Sequence, residues 1–192
     1  MRVVAFSGSA RKDGNTARMV REVFTELDKA GIETELVQLA GKEIQGCRAC
    51  YLCKKNKDER CATTDDVVNE CIEKMLAADA ILLASPTYFA DVTPEIKALI
   101  DRAGMVSRMN DDMLRRKLGA AISVARRGGA IHTFDSLNHF FLIGQMIVVG
   151  SSYWNIGFGG DKGEVEKDEE AMGVMRTLGI NIAWLLEQIH RA

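Results

Sequence analysis

Short apolar runs alternate along the chain with longer segments whose apolar residues recur at helical spacing. Residues 2–7, Arg-Val-Val-Ala-Phe-Ser, predict a strand buried on both faces and ending at Gly8. From Asn15 to Ala30, the residues Met19, Val20, Val23, Phe24 and Leu27 mark one face of a helix, and Gly31 stands where a helix stop belongs. The same alternation predicts strands at 32–39, 80–84, 118–125 and 146–149, and helices at 65–78, 94–106, 130–143 and 167–190. In the last helix Met172, Met175, Leu178, Ile182, Leu185, Leu186 and Ile189 share a side. Strands separated by helices imply right-handed crossovers and hence a five-stranded parallel sheet covered on both faces. The expected architecture is a three-layer α/β/α sandwich with strand order 2-1-3-4-5, formed as a single domain by residues 1–192. Residues 40–64 have no periodicity of their own, and a loop that long in a compact domain is usually functional.

Composition narrows the partners. The chain has 192 residues, 47% of them apolar and 27% charged, with a formal charge of -2. A chain of this length buries roughly 70% of its unfolded surface, so it needs no disulfide staples. A near-neutral balance gives no general field to attract nucleic acid or an anionic membrane, and neither partner is expected. No apolar run approaches the ~18 residues of a membrane span, and the start lacks a basic-then-apolar secretory pattern, so a cytoplasmic protein is expected.

Three turns follow predicted strands. Gly8-Ser9-Ala10-Arg11-Lys12-Asp13-Gly14-Asn15-Thr16 joins the first strand to the first helix but matches neither the dinucleotide fingerprint nor the lysine-bearing phosphate loop. Free amides at a helix start, with Ser9, Arg11, Asn15 and Thr16, suit one terminal phosphate; the alternative is a cap by Ser9 or Asn15 beside a solvated Arg11. The third strand ends in Ser85-Pro86-Thr87-Tyr88-Phe89-Ala90, whose rings suit a flat heteroaromatic ligand or simply pack in the loop. Ala125-Arg126-Arg127-Gly128-Gly129 ends the fourth, where glycines permit close backbone approach to the same ligand; a solvated turn is the alternative. In the expected strand order the winding reverses between strands one and three, where such folds bind ligands.

Of five cysteines, Cys47, Cys50, Cys53 and Cys61 fall within the aperiodic segment. The paired two-residue gaps are those with which ferredoxins hold three corners of an iron-sulfur cubane, and the longer gap to Cys61 departs from that pattern. Four-cysteine zinc sites use two knuckles around a longer spacer, which fits less well; free thiols or a disulfide remain open. Cys71 lies on an apolar helix face and is expected in the core.

The GSARKDGNT loop, the stretch SPTYFADVTPEIKALIDR from Ser85 to Arg102 and the compact cysteine cluster resemble the iron-sulfur flavoproteins, within the flavodoxin-like NAD(P)H-dependent FMN and quinone reductases. The resemblance spans nearly the whole chain. It implies that Ser9, Arg11, Asn15 and Thr16 bind the FMN phosphate, that Pro86, Thr87, Tyr88 and Phe89 line the isoalloxazine ring, and that Cys47, Cys50, Cys53 and Cys61 hold a [4Fe-4S] cluster; Ala125, Arg126 and Gly128 of the fourth strand's turn are expected to approach the same cofactor. A longer last gap than in ferredoxins is usual for this group. A homodimer or homotetramer follows from the same resemblance, with Tyr153-Trp154 and the last helix serving the interface or the core.

The leading expectation is therefore an electron-transfer oxidoreductase coupling FMN to a [4Fe-4S] cluster, with a ferredoxin-like donor or a small-molecule acceptor. Two others compete: an NAD(P)H-dependent FMN or quinone reductase whose cysteines carry no cluster, and a non-enzymatic flavin redox sensor. Lys54, Lys55, Lys57 and Arg60 make the cysteine segment basic, suited to an acidic ferredoxin or to plain solvation. No proton-transfer residue is assigned, and His132, His139 and His190 are expected at surface or satisfied positions.

Overall fold

The computed structural model describes residues 1–191. Its sheet is built from β1 (Arg2–Ser7), β2 (Glu33–Gln38), β3 (Ala80–Pro86), β4 (Leu118–Ala125), β5 (Ile147–Val148) and β6 (Ile156–Phe158). All pairings are parallel, in the order β2-β1-β3-β4-β5, with β6 also on β4. The central strands β1, β3 and β4 are buried almost throughout, as expected of strands covered on both faces. Around the sheet lie α1 (Asn15–Lys29), α2 (Leu52–Asn56), α3 (Val68–Ala77), α4 (Pro94–Met109), α5 (Ala130–Ile143) and α6 (Glu169–Arg191).

Alternation along β1 divides the core in two. Val3 and Ala5 face α1 and α6, where Met19, Val23, Met175 and Leu178 are completely buried. Val4 and Phe6 face α3, α4 and α5, with Ile72, Leu99, Leu137 and Phe141. Each such side chain contributes about 1.5–3 kcal/mol. Gly119 lets α5 approach the sheet, since a Cβ there would stand 2.7 Å from Phe141 Cγ.

The expected fifth strand is present as the shorter β5, which pairs with Leu118 and Gly119, and an unexpected sixth strand, β6, pairs with Ser123 to Ala125. The chain leaves the edge after Val148 and returns when Asn155 donates from Nδ2 to the Ala121 carbonyl at 3.0 Å and accepts from the Ser123 amide at 2.9 Å. The helix expected from residue 65 starts at Val68, because Asp66 Oδ1 accepts from the Val68 amide and holds the preceding turn open. The segment 40–64 contains the helical turn α2. A 3-10 turn at Glu164–Lys167 also precedes α6.

Candidate functional site

Parallel winding brings the ends of β1, β3 and β4 to one side of the sheet, and their loops meet there in a cleft of about 170 Å³. Ser9, Arg11, Asn15, Thr16, Pro86, Thr87, Tyr88 and Arg126 line it, joined by Val124, Gly159 and Gly160. The helix α1 enters this cleft with Gly14 as its N-cap and no side-chain cap, which leaves its first amides and the positive end of its dipole facing the opening. Ser9 turns inward and accepts from the Arg11 amide at 3.2 Å. Neither Ser9 nor Asn15 caps the helix.

Asn15 has a different task in this structure. Its Nδ2 donates to the carbonyls of Gly159 and Asp161 at 3.0 and 2.8 Å, and its Oδ1 accepts from the Gly163 amide at 2.7 Å. Both its amide protons and one lone pair of its oxygen are engaged by the 159–163 loop, which Arg11 also grips through the Gly160 carbonyl at 2.7 Å. This fourth loop went unseen in the sequence, although Gly-Gly-Asp-Lys-Gly at 159–163 is a turn signal.

The loop after β3 closes as a tight turn in which the Tyr88 amide donates to the Asp91 carbonyl at 2.9 Å and the Asp91 amide returns the bond. At its tip Phe89 and Ala90 take the left-handed backbone region, φ 45° and 71°, and Phe89 is fully exposed, at 109%. The Phe89 ring therefore stands outside the cleft, whereas Tyr88 lines it. Thr87 is fixed behind by bonds from its amide to the Val124 carbonyl and from its hydroxyl to Thr133 at 3.0 Å. Ala125 is buried in β4. Gly128 lines a neighbouring apolar cavity of about 350 Å³ with Tyr153, Trp154 and Phe158. The Tyr153 and Trp154 rings meet at a tilt of 55° with centroids 4.8 Å apart and remain exposed, outside the core.

Cys47, Cys50, Cys53 and Cys61 line one small cavity of about 20 Å³ against α4. All four are free thiols; Cys47 and Cys50 are exposed, Cys53 is buried and Cys61 lies between. Burial pushes the Cys53 thiol up, and the nearby cysteines add to the effect. Among the described residues no group of three or more metal-ligating side chains is placed to hold a single ion. The chain around these thiols is bent sharply: Ala49, Tyr51, Lys57 and Glu59 all have φ between 51° and 60°. Such strain persists only where the surroundings fix it.

Comparison with known proteins places the chain in one family. The family model described as NADPH-dependent FMN reductase matches residues 1–161. The chain belongs to this family. An iron-sulfur flavoprotein of Methanocaldococcus jannaschii is 38% identical over 198 residues, covering 100% of both chains. Another from Methanosarcina thermophila is 34% identical over 194 residues, covering 100% of this chain and 98% of its own. In structure the chain is similar to an NAD(P)H:quinone oxidoreductase from Methanothermobacter marburgensis, with TM-score 0.68 and 19% identity over 95% of this chain and 96% of that one. The fold is flavodoxin-like, and the protein is a flavin-dependent oxidoreductase. Among the described residues no helix is long and apolar enough to cross a membrane.

Two further residues of this reductase-family chain organise the thiol cavity. Asn69 holds Cys61 by both backbone groups, accepting from its amide at 2.8 Å and donating to its carbonyl at 2.9 Å. Arg102, only 1% exposed, crosses from α4 into the cavity wall. It pairs with Asp66 and donates to the Gln45 and Thr63 carbonyls. Burial, the largest single influence, works against the charge of both partners, but it is outweighed by their mutual bond acting together with the Val68 and Gln45 amides on Asp66 and with Cys61 on Arg102: the Asp66 carboxyl is held below its ordinary range and Arg102 is raised. Periodicity puts Arg102 on α4, but nothing in the sequence marks it as buried.

Proposed function

We propose that the cleft binds FMN and that the four-thiol cavity holds a [4Fe-4S] cluster, making the chain an electron-transfer oxidoreductase. The observation that carries this reading is the convergence of four loops on an uncapped helix start, in a chain whose remaining long loop gathers four cysteines around one cavity. Ser9, Arg11, Thr16 and the first amides of α1 receive the phosphate, while Asn15 keeps the 159–163 wall in place. Pro86, Thr87, Tyr88 and Arg126 flank the ring, with Ala125 supplying backbone and Gly128 opening the adjoining apolar cavity. Phe89 serves contacts outside the cleft.

The donor set at the cavity is all thiol, the chemistry that iron-sulfur clusters take. Each thiolate of a cubane has its own iron, so the four stand further apart than four sharing one zinc. Four cysteines lining one cavity, three of them at ferredoxin-like spacing, support the cubane. When bound, FMN exchanges electrons singly or in pairs and the cluster exchanges them singly, which joins one-electron carriers to two-electron substrates. The chain's part is to hold both groups, to exclude water around Cys53 and to set the charge near the thiols. A ferredoxin-like donor meeting Lys54, Lys55, Lys57 and Arg60, a small-molecule acceptor, a homodimer or homotetramer and a cytoplasmic location complete the reading.

Anaerobic purification followed by flavin, iron and sulfide assays tests it, the expected outcome being one FMN and about four irons per chain. The family match favours a second reading, an NAD(P)H-dependent FMN or quinone reductase without a cluster. Flavin with no iron, and fast flavin reduction by NADPH that survives cysteine-to-serine changes, decides for that one.

A further inference from the structure

Cys61 differs from the other three thiols in one respect: a buried arginine points at it. Arg102 Nε donates to Cys61 Sγ at 3.3 Å, while the rest of the guanidinium is held by the Gln45 carbonyl, the Thr63 carbonyl and Asp66. The contacts come from both sides of the cysteine run, residue 45 before it and residues 61–66 after it. One side chain thus ties the two ends of the loop to α4. Helices are rigid over this distance, and four of the five donor positions of the fork are given definite partners, so the Nε direction is fixed.

We infer that Arg102 is the positioning residue that makes Cys61 the fourth thiolate of the cluster and that its hydrogen bond to the sulfur raises the cluster's reduction potential. This rests on the cluster reading given above. Cys61 sits beyond the ferredoxin-like spacing of Cys47, Cys50 and Cys53, so chain geometry alone does not deliver its sulfur; Arg102 and Asn69 do, one from the side-chain end and one from the backbone. Hydrogen bonds to cluster sulfurs withdraw electron density and favour the reduced state, which carries more negative charge. A buried cation closing the cavity acts in the same direction. Asp66 moderates it by keeping the guanidinium paired and fixed.

The test uses the full chain, reconstituted with iron and sulfide without air, as wild type, Arg102→Gln and Arg102→Lys. Three readouts are taken: FMN affinity as a check that the chain is folded, the electron paramagnetic resonance and iron content of the cluster, and its midpoint potential. Arg102→Gln is expected to bind FMN as wild type does, to hold fewer irons or show a three-iron signal, and to be reduced at a more negative potential; Arg102→Lys is expected between the two. A folded Arg102→Gln with wild-type iron content, signal and potential overturns the inference. Should both variants fail to fold, pulsed magnetic resonance of reduced Arg48→Lys protein carrying 15N-arginine decides, Arg48 being the other arginine on the cavity: coupling of an arginine nitrogen to the cluster supports the inference, and no coupling overturns it. Wild type that binds FMN but takes up no iron at all instead sinks the cluster reading on which the inference stands.

Discussion

Thr93 Oγ1 donates to the carbonyl of Gly8 at 2.8 Å, joining the start of α4 to the loop that leaves β1. The same residue donates its amide to Ser85 Oγ at 3.1 Å and caps α4 through Ile96. Gly8 is confined by this arrangement, since a Cβ there would stand 2.8 Å from Ile96 Cβ. Two ligand loops and the helix bearing Arg102 are therefore one mechanical unit, with Thr93 and Arg102 about 14 Å apart along α4.

Thr93→Val keeps the shape of that side chain and removes its hydroxyl. It leaves the Gly8 carbonyl buried without a partner and the helix without its cap, so a loss of about 2 kcal/mol is expected in urea unfolding. FMN affinity should fall with it, because both loops shift. Unchanged unfolding midpoints would show that the bond does not hold the loops.

Asn15 gives a sharper test of what the first loop does. Asn15→Ala removes three hydrogen bonds to the 159–163 loop, a loss of about 2–3 kcal/mol. Asn15→Asp is expected to be at least as harmful, since a carboxylate cannot donate to the carbonyls of Gly159 and Asp161 that the amide now serves. If the asparagine held phosphate alone, apo-protein unfolding would be unaffected by either change. Flavin fluorescence titrations should show FMN binding weakened by about tenfold for each 1.4 kcal/mol transmitted through the loop.

Much of this fold is legible in the sequence because the central strands are nearly pure apolar runs, and such runs separated by amphipathic helices admit few topologies. At the sheet edge β5 falls within the strand read at 146–149, but β6 is hidden, since Ile156–Phe158 is too short to show a period. At the cleft, the turns announce themselves through glycine, serine and threonine, but the direction of a side chain does not. Asn15 reads as a phosphate ligand, and nothing local to it announces its partners at 159–163, far along the chain. Arg102 is hidden for the same reason: its ion-pair partner Asp66 lies 36 residues earlier, and its burial leaves no mark on local pattern.

Phe89 occupies a backbone conformation that bulky residues rarely adopt, with its ring in solvent. Phe89→Gly removes the strain of about 1–2 kcal/mol, partly offset by the greater freedom of glycine in the unfolded chain. A net gain raising the Tm by about 1–4 °C is expected for a chain of this size, with FMN affinity unchanged. A fall in Tm accompanied by dissociation of an oligomer would instead assign the ring to a subunit contact.

Cys71 sets an alkaline limit. It is only 1% exposed on α3, and burial pushes its thiol up from 9.0 to about 12. A folded pKa above the unfolded one means the unfolded chain gives up its proton first, so the stability linked to this group is complete below about pH 8.5 and is lost as pH rises toward 12. The expected slope within that window is about 1.4 kcal/mol per pH unit. Urea unfolding of wild type and Cys71→Ala at pH 8 and pH 10 measures it: the alanine variant starts less stable, having lost packing, but should lose about 1.4 kcal/mol less between the two conditions. Parallel slopes would show that the thiol is not kept neutral by burial. Alkylation gives an independent check, since iodoacetamide at pH 8 should label exposed Cys47 and Cys50 in the folded apo-protein and reach Cys71 only after unfolding.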